Sequence, residues 1–399
     1  LADLILRARH YRTLQPVAIR LQEGLIRYIQ PLDSDESLPV VAPGLVDLQV
    51  NGFQGIDFNH YPFSVEQVEQ AVRLLWRQGV TSWLPTVITA SDETLCQSLA
   101  TLAESRRQRA WVRDAIVGFH LEGPFISPED GPRGAHPLAA ICAPQNTLFD
   151  RWQRCAEGGI RLLTLSPEWP EAAAFIRHYH AQNVLIAIGH TAATSAQIDE
   201  AVAAGARLST HLGNGAHLQL PRHPNYIWQQ LAEDKLACTL IADGEHLPAE
   251  VLKVFLRAKG EQALLVSDVT SFAGLPAGDY LAPIGGRVTL SDGGRLSLTD
   301  NPRLLAGSAR GLLDCVNFLL RSKLVDLGTA IDMAAKRPAC QLGLPQQIGL
   351  ESGAPADLIF LEPQQDSSVR LTACWKGGVK VWDEESGDAD RLEGLEPMN

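Results

Sequence analysis

Eight short apolar runs, at 44–52, 80–88, 115–123, 161–168, 184–191, 207–214, 236–244 and 263–270, constrain the chain more than any other feature. Each is rich in Val, Ile, Leu or Thr and stays nearly continuously apolar before turning polar. Parallel strands buried on both faces read this way. The spacers carry helical periodicity instead. After Ser64, the residues Val65, Val68, Val72 and Leu75 fall on one face at 3.6 residues per turn, and Ser64-x-x-Gln67 reads as a capping box. Further helices are expected over 194–204 and 248–258. Eight alternating β and α units predict a closed (β/α)8 barrel, with a doubly wound open sheet as the other architecture.

The two ends differ from this pattern. Leu4, Leu6, Val17, Ile19, Leu21 and Leu25 sit in short segments without an intervening helix, and 357–361, 369–371 and 379–382 repeat the pattern near the other end. The expected organisation is an α/β chain: a TIM-type barrel over 43–347, and a small β-sandwich domain built from 1–42 and 348–399. Residues 31–37 are acidic and turn-rich and read as a surface loop. Residues 285–298 read as a hairpin turning near Asp292-Gly293.

Function classes narrow on charge. Lys plus Arg number 34 against 46 Asp plus Glu, a net charge of −12. An acidic surface repels phosphodiester backbones and anionic lipid, so neither nucleic acid nor membrane is an expected partner. No apolar run approaches the roughly 20 residues of a membrane-spanning helix. Residues 1–9 do not read as a secretory signal, and Leu1 in place of Met suggests a trimmed start. Seven scattered cysteines without a Cys-x-x-Cys predict reduced thiols and a cytoplasmic protein.

In such a barrel the C-terminal strand ends build the active site. Here they read Gln49-Val-Asn51, Pro85-Thr86, His120-Leu-Glu122, Ser166-Pro-Glu168, Gly189-His190-Thr191, Thr210-His211, Asp243-Gly-Glu-His246 and Ser267-Asp268. One His at a strand end is commonly a hydrogen-bonded structural residue, and one Asp a helix cap. Glu122, His190, His211 and Asp268 come from four different strands and would meet at one mouth. A carboxylate and two imidazoles suit a zinc or ferrous ion that keeps an open position. Such an ion activates water towards an amide or ester carbonyl, and Asp268 is the candidate to take the proton.

The order of motifs then resembles a known family. Pro43-Gly44-Leu-Val-Asp47 and the split β domain resemble the amidohydrolase superfamily. Phe119-His-Leu-Glu-Gly-Pro-Phe125, Gly134-Ala-His136, Gly189-His-Thr191, Thr210-His-Leu212 with Asn214, Ile241-Ala-Asp-Gly-Glu-His246 and Leu305-Ala-Gly-Ser308 resemble, over nearly the whole chain, the N-acetylglucosamine-6-phosphate deacetylase family. The resemblance implies hydrolysis of the acetamide to glucosamine-6-phosphate and acetate, in amino-sugar catabolism. It implies one divalent metal ion per subunit on Glu122, His190 and His211, zinc first and iron second. Asp268 is the implied acid/base, and His136 the residue that polarises the acyl carbonyl. Implied substrate contacts are Ala135, His136, Asn214, Gly215, His246 and the Leu305-Ala306-Gly307 backbone. Arg222 is implied to bind phosphate by reaching the neighbouring site of a homodimer.

This chain also departs from the pattern. Gln49-Val-Asn51 stands where many amidohydrolases carry His-x-His for a second metal, so a single ion is expected. Gly215-Ala216-His217 and Arg222-His223-Pro224-Asn225 replace the usual Ala-Met and Arg-Glu-Pro-Gly stretches. His217 and His223 are either added substrate contacts or exposed loop residues. The changes keep a deacetylase of another N-acyl amino sugar, such as N-acetylgalactosamine-6-phosphate, as an alternative, alongside a catalytically silent sugar-phosphate binder. A cyclic amidase would want the absent His-x-His and a bridging Lys, and no Lys lies at a strand end. Gly307-Ser-Ala-Arg-Gly311 reads as a substrate-side turn into a helix.

Overall fold

The computed structural model describes residues 4–33, 35, 37–282 and 286–388. The eight apolar runs supply eight parallel strands, hydrogen-bonded in chain order. They are Leu45–Val50, Val80–Ile88, Phe119–Glu122, Ile160–Leu165, Leu185–Ile188, Leu208–Ser209, Ala237–Leu240 and Ala263–Leu265. Val50 bridges Val269 in parallel, and Asn51 N–H donates to Val269 O at 2.8 Å. These contacts bring the two edges of the sheet together into a barrel. Val46, Leu48, Leu84, Leu162, Leu264 and Val266 fill its interior with branched side chains, as close packing inside a small barrel requires.

The helices start where the sequence supplies caps. Ser64 accepts from Gln67 N while the Gln67 side chain accepts from Ser64 N, and the helix Val65–Trp76 buries Val68, Ala71, Val72 and Leu75. Thr194 and Gln197 repeat the arrangement before Ser195–Ala204. A third expected helix is Ala249–Lys259. Trp76, Trp83, Trp111 and Trp152 are all buried packing residues.

The termini combine in one eight-stranded mixed sheet. Val40–Pro43 pairs antiparallel with Leu358–Pro363, with Leu358 opposite Pro43, and so joins the two halves. The outer strand Leu25–Pro31 is drawn back to the far half, since Ile26 N donates to Ala354 O and Gly353 N to Ile26 O, at 2.9 and 2.8 Å. The seam to the barrel holds a buried ion pair. Lys376 Nζ lies 2.8 Å from Asp357 Oδ2 and 3.1 Å from Ser82 Oγ on the second barrel strand. The 1–3 and 389–399 parts of the expected terminal domain, residues 34 and 36 of the expected loop, and Gly285 lie outside the described residues.

The expected hairpin is part of a larger insertion. Gly278–Ala282, Gly286–Leu290, Leu296–Leu298 and Asn301–Leu305 form a four-stranded antiparallel sheet. Its turn at Asp292-Gly293 closes through Gly294 N to Ser291 O at 2.9 Å, and Phe272, Val288, Leu290 and Leu296 give it a small core.

One expectation fails. Cys96 and Cys155 form a disulfide, with Cα atoms 5.3 Å apart, between the helices Asp92–Gln108 and Asn146–Cys155. The reading of all seven cysteines as reduced thiols missed this pair because 59 residues separate them, and only helix packing brings them together. Among the described residues no helix is long and apolar enough to cross a membrane.

Candidate metal centre

Glu122 ends the third barrel strand, His190 follows the fifth by two residues, His211 follows the sixth by two, and Asp268 follows the eighth by three. His190, His211 and Asp268 all have positive φ, at 49°, 27° and 50°. That region is costly for residues other than glycine, and it concentrates at functional sites. Each strand is thereby broken sharply, which turns the following side chain over the barrel mouth. Backbone bonds hold these turns: His211 N donates to Thr239 Oγ1 at 2.7 Å, and Ser127 N to His190 O at 2.9 Å.

Three donor atoms converge. Glu122 Oε1 lies 2.9 Å from His211 Nε2 and 3.2 Å from His190 Nε2, and the two ring nitrogens are 3.2 Å apart. Ligands at about 2.1 Å from one tetrahedral ion sit roughly 3.4 Å from each other, close to this triangle. His190 Nδ1 is 2.8 Å from Pro132 O. A carbonyl only accepts, so the ring proton is on Nδ1 and the Nε2 lone pair faces Glu122. A carboxylate oxygen and a nitrogen lone pair turned towards each other in a buried place are what a cation satisfies. Burial pushes the Glu122 carboxyl up, but the close imidazoles of His190 and His211 outweigh it and hold it well below the usual range. Burial also lowers His211, and the Glu122 carboxylate outweighs it and raises it. The donor set therefore fits a divalent ion.

His136 stands against this cluster, its ring centroid 4.4 Å from that of His190. Its ligand atom lies within 4.8 Å of those of Glu122 and His190, so it borders the same position. Thr89 Oγ1 is 2.8 Å from His136 Nδ1, and burial lowers His136 to about 3, which keeps the ring neutral. Asp268 is driven up to about 6, first by burial and also by the Glu122 charge, against the pull of His211, His246 and Asn51. Asn51 Nδ2 donates to Asp268 Oδ1, and Gln49 Nε2 donates to Glu122 Oε1 at 3.0 Å. The two amides at the His-x-His positions are thus spent on the carboxylates.

The wider set of candidates surrounds this mouth unevenly. Asn214 donates from Nδ2 to His211 O at 3.2 Å. Gly215 has φ +56°, and a Cβ there would lie 2.7 Å from His190 Nδ1, so its backbone packs directly on the ring. Gly134, next to the exposed Ala135, also packs near the His190 ring, where a Cβ would lie 3.4 Å from Cε1. His246 Nδ1 is 2.7 Å from Asp243 Oδ2, whose other oxygen accepts from the Glu245 and His246 N–H groups. Burial pushes the Asp243 carboxyl up, but the His246 hydrogen bond and charge prevail and hold it low. Leu305, Ala306 and Gly307 lead to Ser308, which accepts from Thr270 N at 2.9 Å just beyond Asp268. Arg222 is exposed and makes no hydrogen bond or ion pair among the described residues; the structure does not bring it to its own chain's cluster.

Sequence reasoning assigned no role to Thr89 or Asp243, although each fixes one of the candidate histidines. The spacing Asp243-x-x-His246 carried the signal for the second. Nothing in the sequence marked Thr89. His217 turns out to be a link rather than a free loop residue: its Nε2 is 3.0 Å from Glu129 Oε2 and its Nδ1 3.0 Å from Tyr226 OH. His223 is exposed.

Comparison with known proteins agrees with this architecture. N-acetylglucosamine-6-phosphate deacetylase from Bacillus subtilis is 31% identical over 378 residues, covering 92% of this chain and 90% of that protein. N-acetylgalactosamine-6-phosphate deacetylase from Escherichia coli O157:H7 is 29% identical over 382 residues, covering 94% and 98%. The crystal structure of N-acetyl-D-glucosamine-6-phosphate deacetylase from Mycobacterium smegmatis superposes with a TM-score of 0.83 at 26% identity, over 95% of this chain and all of that one. Residues 40–382 match the amidohydrolase family, whose members depend on metal. With its parallel barrel and its Glu/His/His cluster, the chain belongs to the amidohydrolase family.

Proposed function

We propose that this protein hydrolyses the acetamide of N-acetylglucosamine-6-phosphate, giving acetate and glucosamine-6-phosphate, a step in amino-sugar breakdown. The observation that carries the reading is the buried triangle of Glu122, His190 and His211 with Asp268 beside it, in a chain about 30% identical to deacetylases of this class. Glu122, His190 and His211 would hold one divalent ion, zinc first and iron second. When bound, that ion supplies Lewis acidity towards water and the acyl oxygen.

The chain's own groups do the rest. With its Nδ1 held by the Thr89 hydroxyl, His136 would present Nε2 to the acyl oxygen and, in the tautomer that carries the proton there, donate a hydrogen bond to it. Asp268, ionised, takes one proton from the attacking water at a carboxylate oxygen. It then passes that proton to the amide nitrogen, so the C–N bond breaks as the hydroxyl becomes part of acetate. Asn51 keeps the Asp268 carboxylate aimed. Ala135, Asn214, Gly215, His246 held by Asp243, and the Leu305-Ala306-Gly307 backbone would contact the sugar. Arg222, exposed and unpaired, would bind the phosphate of a neighbouring copy's substrate in a homodimer. The barrel over 43–347 would carry the site, with 1–42 and 348–399 as the β domain. A charged sugar phosphate does not cross a membrane unaided, which supports a cytoplasmic reaction.

The galacto epimer is the second reading, supported by the Gly215-Ala216-His217 loop and by relatives that act on N-acetylgalactosamine-6-phosphate. A panel of both phosphorylated sugars and their unphosphorylated forms, with zinc-loaded and chelator-treated protein, tests the proposal. Acetate release from the gluco phosphate, lost on chelation and restored by zinc or iron, is the expected result. Turnover of the galacto phosphate alone would reassign the loop. No acetate from any member would overturn the deacetylase reading and leave a silent binder.

A further inference from the structure

The barrel face opposite the metal cluster holds a cavity of about 850 Å³, within the size range of small-molecule sites. It opens at the starts of the strands. Arg161 is the second residue of Ile160–Leu165, Leu185 begins Leu185–Ile188, Arg207 immediately precedes Leu208–Ser209, and Ala237 begins Ala237–Leu240. Nothing in the catalytic account uses this place.

Its charge is unusual for the chain. Arg161, Arg207 and Lys235 line it, with His180, against a single acid, Asp234. Arg161 Nη2 donates to Leu342 O at 2.5 Å, and Arg207 Nη1 to Val202 O and Ala206 O at 2.9 and 2.8 Å. Neutral carbonyls thus anchor both guanidinium groups without cancelling their charge. Among the described residues none of the three cations forms an ion pair. A protein with a net charge of −12 therefore gathers a local excess of positive charge in one concavity, its two arginines half-buried and its lysine exposed at the rim, where the low-dielectric walls focus the field. The exposed Asn183 adds an amide group suited to hydroxyls.

We propose that this cavity is a second binding site, for a small metabolite that carries two phosphate groups on a polyhydroxylated body. Guanidinium groups bind phosphate oxygens in pairs, and the lysine supplies a point charge. The occupant would sit at the starts of the strands whose other ends lead to His190 and His211.

Calorimetric titration of the zinc-loaded protein tests this, with glucosamine-6-phosphate present in saturating amount to cover the catalytic mouth. The probes are ADP and fructose 1,6-bisphosphate, which separate a nucleotide from a sugar body. The expected result is one saturable site per chain for at least one probe, weakened by added salt. Lys235→Glu should weaken it about ten-fold, a change of roughly 1.4 kcal/mol, and Lys235→Arg should retain it. Among the described residues the Lys235 side chain makes no hydrogen bond, so both variants should fold and keep the same acetate release. Absence of saturable binding, equal binding by Lys235→Glu, or loss of binding when glucosamine-6-phosphate is added would each overturn the proposal. Binding is read without turnover, so its failure is separate from any failure of the deacetylase reading.

Discussion

Asn51 Nδ2 lies 2.7 Å from Asp268 Oδ1 and its own backbone N–H bonds to Val269 O. The residue that follows the first strand thus both closes the barrel and steadies the carboxylate after the eighth. That hydrogen bond favours the ionised form of Asp268, opposing the burial that raises it to about 6. The bound ion's charge would lower it further, so activity should rise with pH through a limb at or below about 6. Asn51→Leu removes the stabilising N–H and leaves burial opposed only by His211 and His246. The acid limb of kcat/KM should move to higher pH, with more activity lost at pH 6 than at pH 8. A parallel loss at all pH values would contradict the role given to the Asn51 side chain.

Gly215 and His190 make the second test. Ala at 215 would place Cβ 2.7 Å from His190 Nδ1 at φ +56°, pushing the ring off the Pro132 carbonyl that sets its tautomer. Disturbing such a support costs about 10–100-fold in metal affinity. Gly158→Ala is the matched control, because φ is also positive (+77°) but no atom lies within 4 Å of the new Cβ. Competitive chelator titration should show weakened metal binding in the first variant and none in the second. Equal affinity in both would contradict the packing argument.

His217 ties the segment bearing Glu129 to Tyr226, at the end of the loop that carries Arg222. The pair with Glu129 is partly exposed, at 28% and 59% of the two side chains. A contribution of about 0.5–1 kcal/mol follows, or roughly two- to five-fold in KM. His217→Gln and Glu129→Gln should each raise KM by that factor with little change in kcat, and the double variant should add nothing further. Additive effects would show that the two side chains act separately.

At the seam between the sheet and the barrel, Lys376 and Asp357 are 5% and 3% exposed. Asp357→Ala would strand a buried ammonium and is expected to cost about 3–5 kcal/mol. Combining it with Lys376→Met should recover most of the loss, since the uncompensated charge is gone. Urea unfolding midpoints measure both. A loss below about 1 kcal/mol in the single variant would mean that water reaches Lys376.

The barrel was legible because two-sided burial writes itself as eight unbroken apolar runs, and because Ser64 and Gln67 announce a helix start. Run length was less informative. The 207–214 run yields only a two-residue ladder, Leu208–Ser209, because the chain turns to left-handed φ at His211. The metal-ligand candidates could be read from strand ends alone, whereas His136, Asn214 and Arg222 came from resemblance. Thr89, and the pairing of Cys96 with Cys155, were not legible. Each depends on which loops and helices meet in space, and neither leaves a local pattern.

The most direct test of the account compares wild type with Asp268→Asn for acetate release from N-acetylglucosamine-6-phosphate, with metal content measured on the same samples. The account predicts equal metal content and a loss of about 10²–10⁴-fold in kcat, the usual weight of a general acid/base. Near-normal turnover in a metal-loaded Asp268→Asn protein would contradict it.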